Sequence, residues 1–529
     1  MKKRCFVDTV QQKMQALISL FVVLCFLTIV SWGECASSSK AGKNTPVTPQ
    51  YGGVLRIIGG GTIVNLGIPS EANNPGDIIY SNPAVETLLN LDEVGNPVPW
   101  LATGWTIAKD GKSITFTLRK GVKFHDGTDF NAEAVKYVLD LFRNGTKAEL
   151  KAVSSIDVLD DFTVRLNLSE FQNHILNSLT VTAGMMVSPT ALKTHEKTWA
   201  MLNPVGTGPF KLVRHERDTR LTYEKFPGYW QKGKPYLNGV EFIFIADPVT
   251  ALMSFKAGEG DVIIRVDPKD SIDLQTTGKY AIGKVPIGIF GLAPDGGNPK
   301  SPFADIRVRR AVEYAINKGQ ITKELFYGVW EAASQAADPG GVTYNPTIKG
   351  YPYNPKKARE LLAQAGYPEG FKTKIIYRPL DSQNYMVSIQ KYLKDVGIDA
   401  ELEAVTPAKF SQIINTGWEN ALVAWNLPCG KGTEPGQNAL RAFTGNFFKS
   451  IIRPSAFEDV IHKAVSERDI KKRSALYKAM TKMITDDYAT ICPIYIGSAI
   501  SVKTIRTHDI RIMETWPMKW SPQDAWLSK

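Results

Sequence analysis

Apolar and polar residues alternate along Ser113-Ile114-Thr115-Phe116-Thr117-Leu118, the period-two pattern of a half-buried strand. Arg119–Phe124 extend it to a turn at Asp126-Gly127. Asn131 then stands where a helix N-cap is wanted, and Ala134, Val135, Val138, Leu139 and Phe142 share one helical face. Thr163–Leu168 read as a second strand behind Asp160-Asp161. Upstream, Val54–Ile58 form a short β run between Gly52-Gly53 and Gly59-Gly60-Gly61. No Gly-Lys-Ser/Thr follows, so that glycine loop reads as a tight turn and not a phosphate cradle.

The later half alternates strands and helices. Val308, Ala311, Val312, Ala315 and Ile316 fall on one helical face. Asn354-Pro355 starts another helix with its cap and first-turn proline. Ala358, Leu361, Leu362 and Ala365 face inward, and Gly366 closes it. Lys374–Tyr377 is predicted as a strand, Met386–Val396 as a helix and Asp399–Val405 as a strand, a βαβ unit that implies a parallel sheet. A last helix runs through Leu476, Met480 and Ile484, and a last strand through Ile494–Val502.

The first residues depart from this globular pattern. Lys2, Lys3, Arg4 and Lys13 precede an uncharged apolar run, Met14–Gly33, with small residues after it. This is the layout of a removable export signal, expected to end near residue 35. A retained anchor is the other reading of so long a run. Cys35 behind Trp32-Gly33-Glu34 also suits a lipoprotein cleavage box, except that Glu34 stands where a small residue is usual. Residues 36–50 read as a tether.

At 529 residues the chain exceeds a single ordinary domain, and 43% hydrophobic with 22% charged residues is ordinary globular composition. The net charge of +11 falls to +9 without residues 1–35. Its basic clusters, Arg307–Arg310 without Val308 and Lys471-Lys472-Arg473, read as solvated helix faces, so no nucleic-acid partner is expected. Cys429 and Cys492 are expected to be buried and unpaired. The six histidines include no i,i+4 pair and no metal is expected.

Four stretches resemble the family 5 bacterial extracellular solute-binding proteins. They are Pro99-Trp100-Leu101-Ala102-Thr103-Gly104-Trp105 running into Phe116–Gly127; Asn203–Phe210 with Gly228-Tyr229-Trp230; Pro302–Ala311; and Tyr353–Ala358 with Leu361-Leu362. The resemblance covers about residue 50 to the C-terminus. It implies an α/β, two-lobed periplasmic-binding-protein fold of type II, with an extra inserted subdomain and a hinge between lobes. Lobe I would comprise 51–85, 205–290 and 493–529, the inserted subdomain 86–204, and lobe II 291–492. It further implies an extracytoplasmic receptor, not an enzyme. A peptide-like or other small polar solute would bind between the lobes and pass to ABC permease subunits of the inner membrane, with no cofactor and the protein a monomer. A membrane-anchored solute sensor or a secreted hydrolase is the alternative; no Gly-x-Ser-x-Gly or His-Glu-x-x-His pattern favours the hydrolase.

Peptide receptors of the family carry, a few residues after a lobe II tryptophan, an aspartate that pairs with the ligand's α-amine. The matching stretch here is Ala424-Trp425-Asn426-Leu427-Pro428-Cys429-Gly430, without the aspartate. A buried ammonium without a carboxylate costs several kcal/mol, which speaks against peptides with a free N-terminus unless Glu434 substitutes. Trp425 reads as a stacking face for ligand or as a core residue. Asn426 reads as a donor and acceptor for an uncharged polar group, and Arg378 as a carboxylate fork or a surface residue. Tyr80 lies in the early stretch that often lines the family's cleft.

Overall fold

A computed structural model describes residues 48–529 except 62, 72–74, 94, 146, 148, 380–382, 430–434, 446 and 514–519. The export segment, Cys35, most of the tether and Glu434 therefore lie outside the described residues.

The chain opens with β1 (Val54–Gly59) and α1 (Pro75–Ser81). Next come β2 (Ala102–Ile107), β3 (Ser113–Leu118), α2 (Ala132–Asn144), β4 (Val153–Asp160) and β5 (Thr163–Leu168). These four strands make their own antiparallel sheet in the order β2-β3-β5-β4. The alternation at 113–118 holds, with Ile114, Phe116 and Leu118 buried, Ser113 and Thr115 half-buried and Thr117 exposed. The expected extension through Phe124 does not form, because the chain turns at Gly121, whose φ of 76° suits glycine. Asn131 caps α2, its side-chain oxygen accepting from Ala134 N at 3.0 Å, and the five apolar residues of the predicted face are buried.

The second sheet begins with β6 (Phe210–Glu216), β7 (Arg220–Lys225), β8 (Gly239–Phe244), β9 (Val262–Ile264) and the long β10 (Tyr280–Pro294). After α3 (Ile306–Ala315) and α4 (Pro355–Gln364) come β11 (Phe371–Tyr377), α5 (Gln383–Lys394), β12 (Ile398–Ala404), α6 (Pro407–Thr416) and β13 (Ala421–Leu427). Helices α7 (Ser455–Ser466) and α8 (Ile470–Lys482) precede β14 (Cys492–Thr504). The strand order is β12-β11-β13-β10-β14-β9-β1-β8-β7-β6. The predicted βαβ unit is real: β11 pairs in parallel with both β12 and β13.

One sheet thus serves two lobes. β10 and β14 pair antiparallel from Tyr280↔Thr504 to Leu292↔Cys492. Their one half joins β9 of lobe I, their other half β13 of lobe II. The cores divide the same way. Val285 and Ala499 pack with Phe116, Tyr223 and Phe242; Leu292 and Ile494 pack with Val308, Ile375 and Leu422. Between the halves the ladder is broken by register shifts at Pro286/Gly288 and Phe290/Gly291.

The stretches that carry the family resemblance are scaffold. Glu86 is buried, and its carboxylate accepts four bonds: from Trp100 Nε1 at 3.0 Å and Tyr229 OH at 2.9 Å on one oxygen, and from Thr207 Oγ1 and Trp230 Nε1, both at 2.9 Å, on the other. Burial pushes this carboxyl up while the four donors pull it down. His125 of the Phe-His-Asp-Gly turn places Nε2 2.9 Å from Gly208 O. The first two stretches therefore meet through Glu86 and His125.

One charge reading changes. The Arg307–Arg310 cluster is not a solvated face throughout: Arg309 is buried, its guanidinium donating to the carbonyls of Phe303, Ala304, Tyr488 and Ala489. A carbonyl cage of that kind is invisible to helical periodicity. Near it Lys318 Nζ sits 2.6 Å from Glu313 Oε2, both buried. Cys429 and Cys492 are free and buried, as expected.

Candidate functional site

Strand directions fix where a crevice lies. β9 runs toward the middle of β14, its last residue Ile264 opposite Ser501, and β1 lies parallel beside β9. From the other lobe β13 runs toward the middle of β10, its last residue Leu427 opposite Ile289, with β11 parallel beside it. The carboxyl ends of both sets of parallel strands therefore converge on the broken centre of the ladder, Gly288↔Gly497. Ligands of open α/β sheets bind at such carboxyl ends.

The predicted lobe II residues occupy this edge unequally. Asn426 is exposed near the end of β13, opposite Phe290 of β10. Arg378 follows β11 directly, and its guanidinium lies 5.0 Å above the Phe410 ring. Trp425, one residue before Asn426, points to the opposite face by strand alternation. Its ring is 3% exposed and packs in the core with Ile289, Trp418, Phe443 and Ile496. Its indole N–H is buried and has no hydrogen-bond partner among the described residues. Trp425 thus lies under the crevice, not in its wall.

On lobe I, Tyr80 is also a core residue. Its ring packs edge-on to Phe242 and Phe244, and its hydroxyl donates to Gly60 O at 3.0 Å. It pins the glycine turn after β1 from behind. Gly59 explains the close fit, since a Cβ there would stand 3.0 Å from the Tyr80 hydroxyl. The structure brings Arg378 and Asn426 to one edge; Tyr80 and Trp425 support the two walls.

One residue of this edge escaped the sequence reading. Arg265 follows β9 with φ 60°, a left-handed conformation that costs a non-glycine residue about 1 kcal/mol or more. It is exposed, and its Nη1 lies 3.6 Å from where a Cβ on Gly61 would stand. Position directly after a parallel strand was the available signal. It carries no weight until the register shows which strand ends share the crevice.

The ladder's centre is lined with rings. Phe290 stacks on Tyr495 at 5.0 Å, and Tyr495 on Trp330 at 5.3 Å, both pairs 9° from parallel. Gly497 and Gly288 make room for Phe290: a Cβ on Gly497 would lie 2.6 Å from its Cε2. Far from the ladder, the chain after β5 and the β2–β3 turn touch the end of α7 and the loop that follows it. Asn173 donates from Nδ2 to Ala464 O at 2.8 Å and from its backbone N to Val465 O at 3.0 Å. Arg468 donates to Lys109 O at 2.9 Å and Ala108 O at 3.3 Å. Two surface hollows of about 580 and 270 Å³ lie around Lys193 and Trp199, and neither reaches the carboxyl edge.

The comparisons with known proteins agree with this architecture. A sequence model of the bacterial extracellular solute-binding proteins, family 5 Middle, matches residues 96–443. The glutathione-binding protein GsiB of Pectobacterium atrosepticum is 30% identical over 381 residues, 71% of this chain and 73% of that protein. GsiB of Shigella flexneri is 28% identical over 454 residues, 82% of this chain and 87% of its own. Among solved structures, the periplasmic binding protein DppA from Helicobacter pylori in complex with peptide STSA superposes with a TM-score of 0.75 at 25% identity, covering 91% of this chain and 99% of that one. NikA from Brucella suis in complex with Fe(III)-EDTA shares the fold, with a TM-score of 0.78 at 23% identity over 88% of this chain and 99% of its own.

Proposed function

Since the chain belongs to the family 5 bacterial extracellular solute-binding proteins, the substrate-binding components of ABC importers, we propose that it captures a small peptide-like solute other than an ordinary free-amine peptide. The observation that carries this reading is the carboxyl edge of β13. It presents Asn426 and Leu427, and Pro428 or a near neighbour occupies the place of the amine-pairing aspartate. An α-amine placed there finds no carboxylate among Asn426–Cys429 themselves, and the acid that lines the hollow beside Pro428 and Cys429 is Asp338, on a different segment. The relatives named for glutathione fit the same logic, because in a γ-linked tripeptide the amine and its neighbouring carboxylate form one zwitterionic end.

Solute bound between the lobes favours the closed arrangement only by its greater affinity for it. The broken centre of the β10·β14 ladder, with paired glycines 288 and 497, is the hinge in this reading. The protein does no chemistry on its ligand. It acts as a monomer outside the cytoplasm, exported by its first residues, and hands the closed complex to a membrane permease.

Isothermal titration of the mature protein tests the ligand reading. Reduced glutathione should bind, and α-linked dipeptides such as Ala-Ala should bind weakly or not at all. Submicromolar affinity for Ala-Ala would refute it. Small-angle scattering should show a smaller radius of gyration with ligand. N-terminal sequencing from the native envelope should begin near residue 35.

A further inference from the structure

We propose that Arg265 and the Gly60-Gly61 turn form a carboxylate-binding subsite on the lobe I wall of the crevice, which makes the ligand an anion. The proposal rests on the crevice reading above and adds the charge class of what it takes.

Three observations lead to it. The first is placement. Ile58 of β1 pairs with Ile263 of β9, so Gly60-Gly61 and Arg265 leave adjacent parallel strands side by side at the carboxyl edge. The second is an uncompensated charge. Arg265 pairs with no carboxylate among the described residues. Two acids that follow neighbouring strands of the same edge are held by helix caps and not by Arg265: Asp247 accepts from Thr250 N at 2.8 Å, and Asp267 from Lys269 N at 3.1 Å. Arg511, an arginine with φ 50°, shows the contrast, for it is tied to Glu93 at 3.4 Å.

The third is backbone strain. An exposed position with φ 60° has no packing reason to be arginine, and glycine would hold it without cost. Strain kept at an exposed, cleft-facing residue points to use of its side chain. The turn beside it is prepared for close approach. Gly61 has φ 105° and no side chain to screen the guanidinium, and Tyr80 and Ile245 N fix the carbonyls of Gly60 and Gly59 at 3.0 and 2.9 Å. A guanidinium there offers a fork of parallel N–H donors to one carboxylate.

The test uses the mature protein, two variants and two probes: reduced glutathione, and glutathione diethyl ester, in which both carboxylates are masked. Arg265→Gly and Arg265→Gln should each weaken glutathione about ten- to a hundred-fold. The melting temperature of Arg265→Gly should be unchanged or higher, because glycine relieves the strained φ, so misfolding would not explain the loss. Wild type should bind the ester more weakly than glutathione, and the ester should not distinguish wild type from variants. Wild-type binding of glutathione that survives both substitutions would overturn the subsite and leave the solute-binding reading intact. So would tighter binding of the ester than of glutathione. Failure of wild type to bind either probe would overturn the subsite and the glutathione-like ligand together.

Discussion

If the lobes close on ligand, contacts that bridge them away from the crevice should set affinity without touching the ligand. Asn173 and Arg468 are such contacts. Asn173 is buried against the end of α7, and its Nδ2–H bond to Ala464 O is lost in Asn173→Ala. A neutral intramolecular hydrogen bond is worth about 1 kcal/mol net, because water replaces it on opening. Arg468→Ala removes bonds to two carbonyls in the β2–β3 turn and a guanidinium 5.2 Å above Phe171. The site is exposed, so about 0.5–1 kcal/mol is the reasonable loss. Each variant should therefore weaken binding about two- to fivefold, and the double variant up to about thirtyfold. Asn173 and Phe171 are close neighbours, so strict additivity is the upper limit. The full effect appears when the free protein is mainly open, since apparent affinity scales with the closed fraction. Titration calorimetry gives Kd and stopped flow the dissociation rate, which should rise by about the same factor. Unchanged Kd and dissociation rate in all three variants, with normal melting temperatures, would refute the idea that this contact belongs to the closed state.

Glu86→Gln replaces one carboxylate oxygen by a donor amide facing a tryptophan N–H in either orientation. At about 1.5–3 kcal/mol per bond to a charged group, and with relief of a buried charge, a loss of about 3 kcal/mol is expected. For ~480 residues unfolding together that is only about 3 °C in Tm, so denaturant titration is the better check; an equal or higher midpoint would contradict it. Trp425→Ala should cost about 3–5 kcal/mol of stability, since the ring fills core, and a drop in affinity with full stability would place the ring against ligand instead. His125 and His174 are buried, which lowers both to about 4. The unfolded chain then binds the extra protons, so stability should fall as pH drops from about 6.5 to about 4, by up to about 1.4 kcal/mol per pH unit for each histidine. Chemical denaturation at pH 7, 5.5 and 4.5 would show it, and a flat profile would exclude the effect.

Local signals were legible in the sequence wherever short-range chemistry decides the outcome. Asn131 and Asn354 cap helices because an amide side chain reaches the N–H three residues on, at 3.0 and 2.9 Å. Strands 113–118 and 163–168 follow alternation, and the parallel 371–404 unit follows from strand, helix, strand with short links. The family motifs were legible too, but as residues without a purpose; only folding shows that Trp100, Thr207, Tyr229 and Trp230 surround one carboxylate.

The candidate site was less legible, because a crevice is made of strand ends far apart in sequence. Trp425 and Asn426 are neighbours in the chain, yet strand alternation sends one ring into the core and the other side chain to the exposed face. Which face is which depends on how β13 registers against Phe290 and Gly291. Arg265 is one basic residue among 63 until β9 is seen beside β1, with its carboxyl end directed at the broken ladder. Periodicity and capping therefore determined the elements, whose causes act over a few residues, and the resemblance of the four motif stretches to a known family determined the class of protein. The tertiary structure decided which side chains reach the shared carboxyl edge, because the pairing of strands more than a hundred residues apart sets that choice.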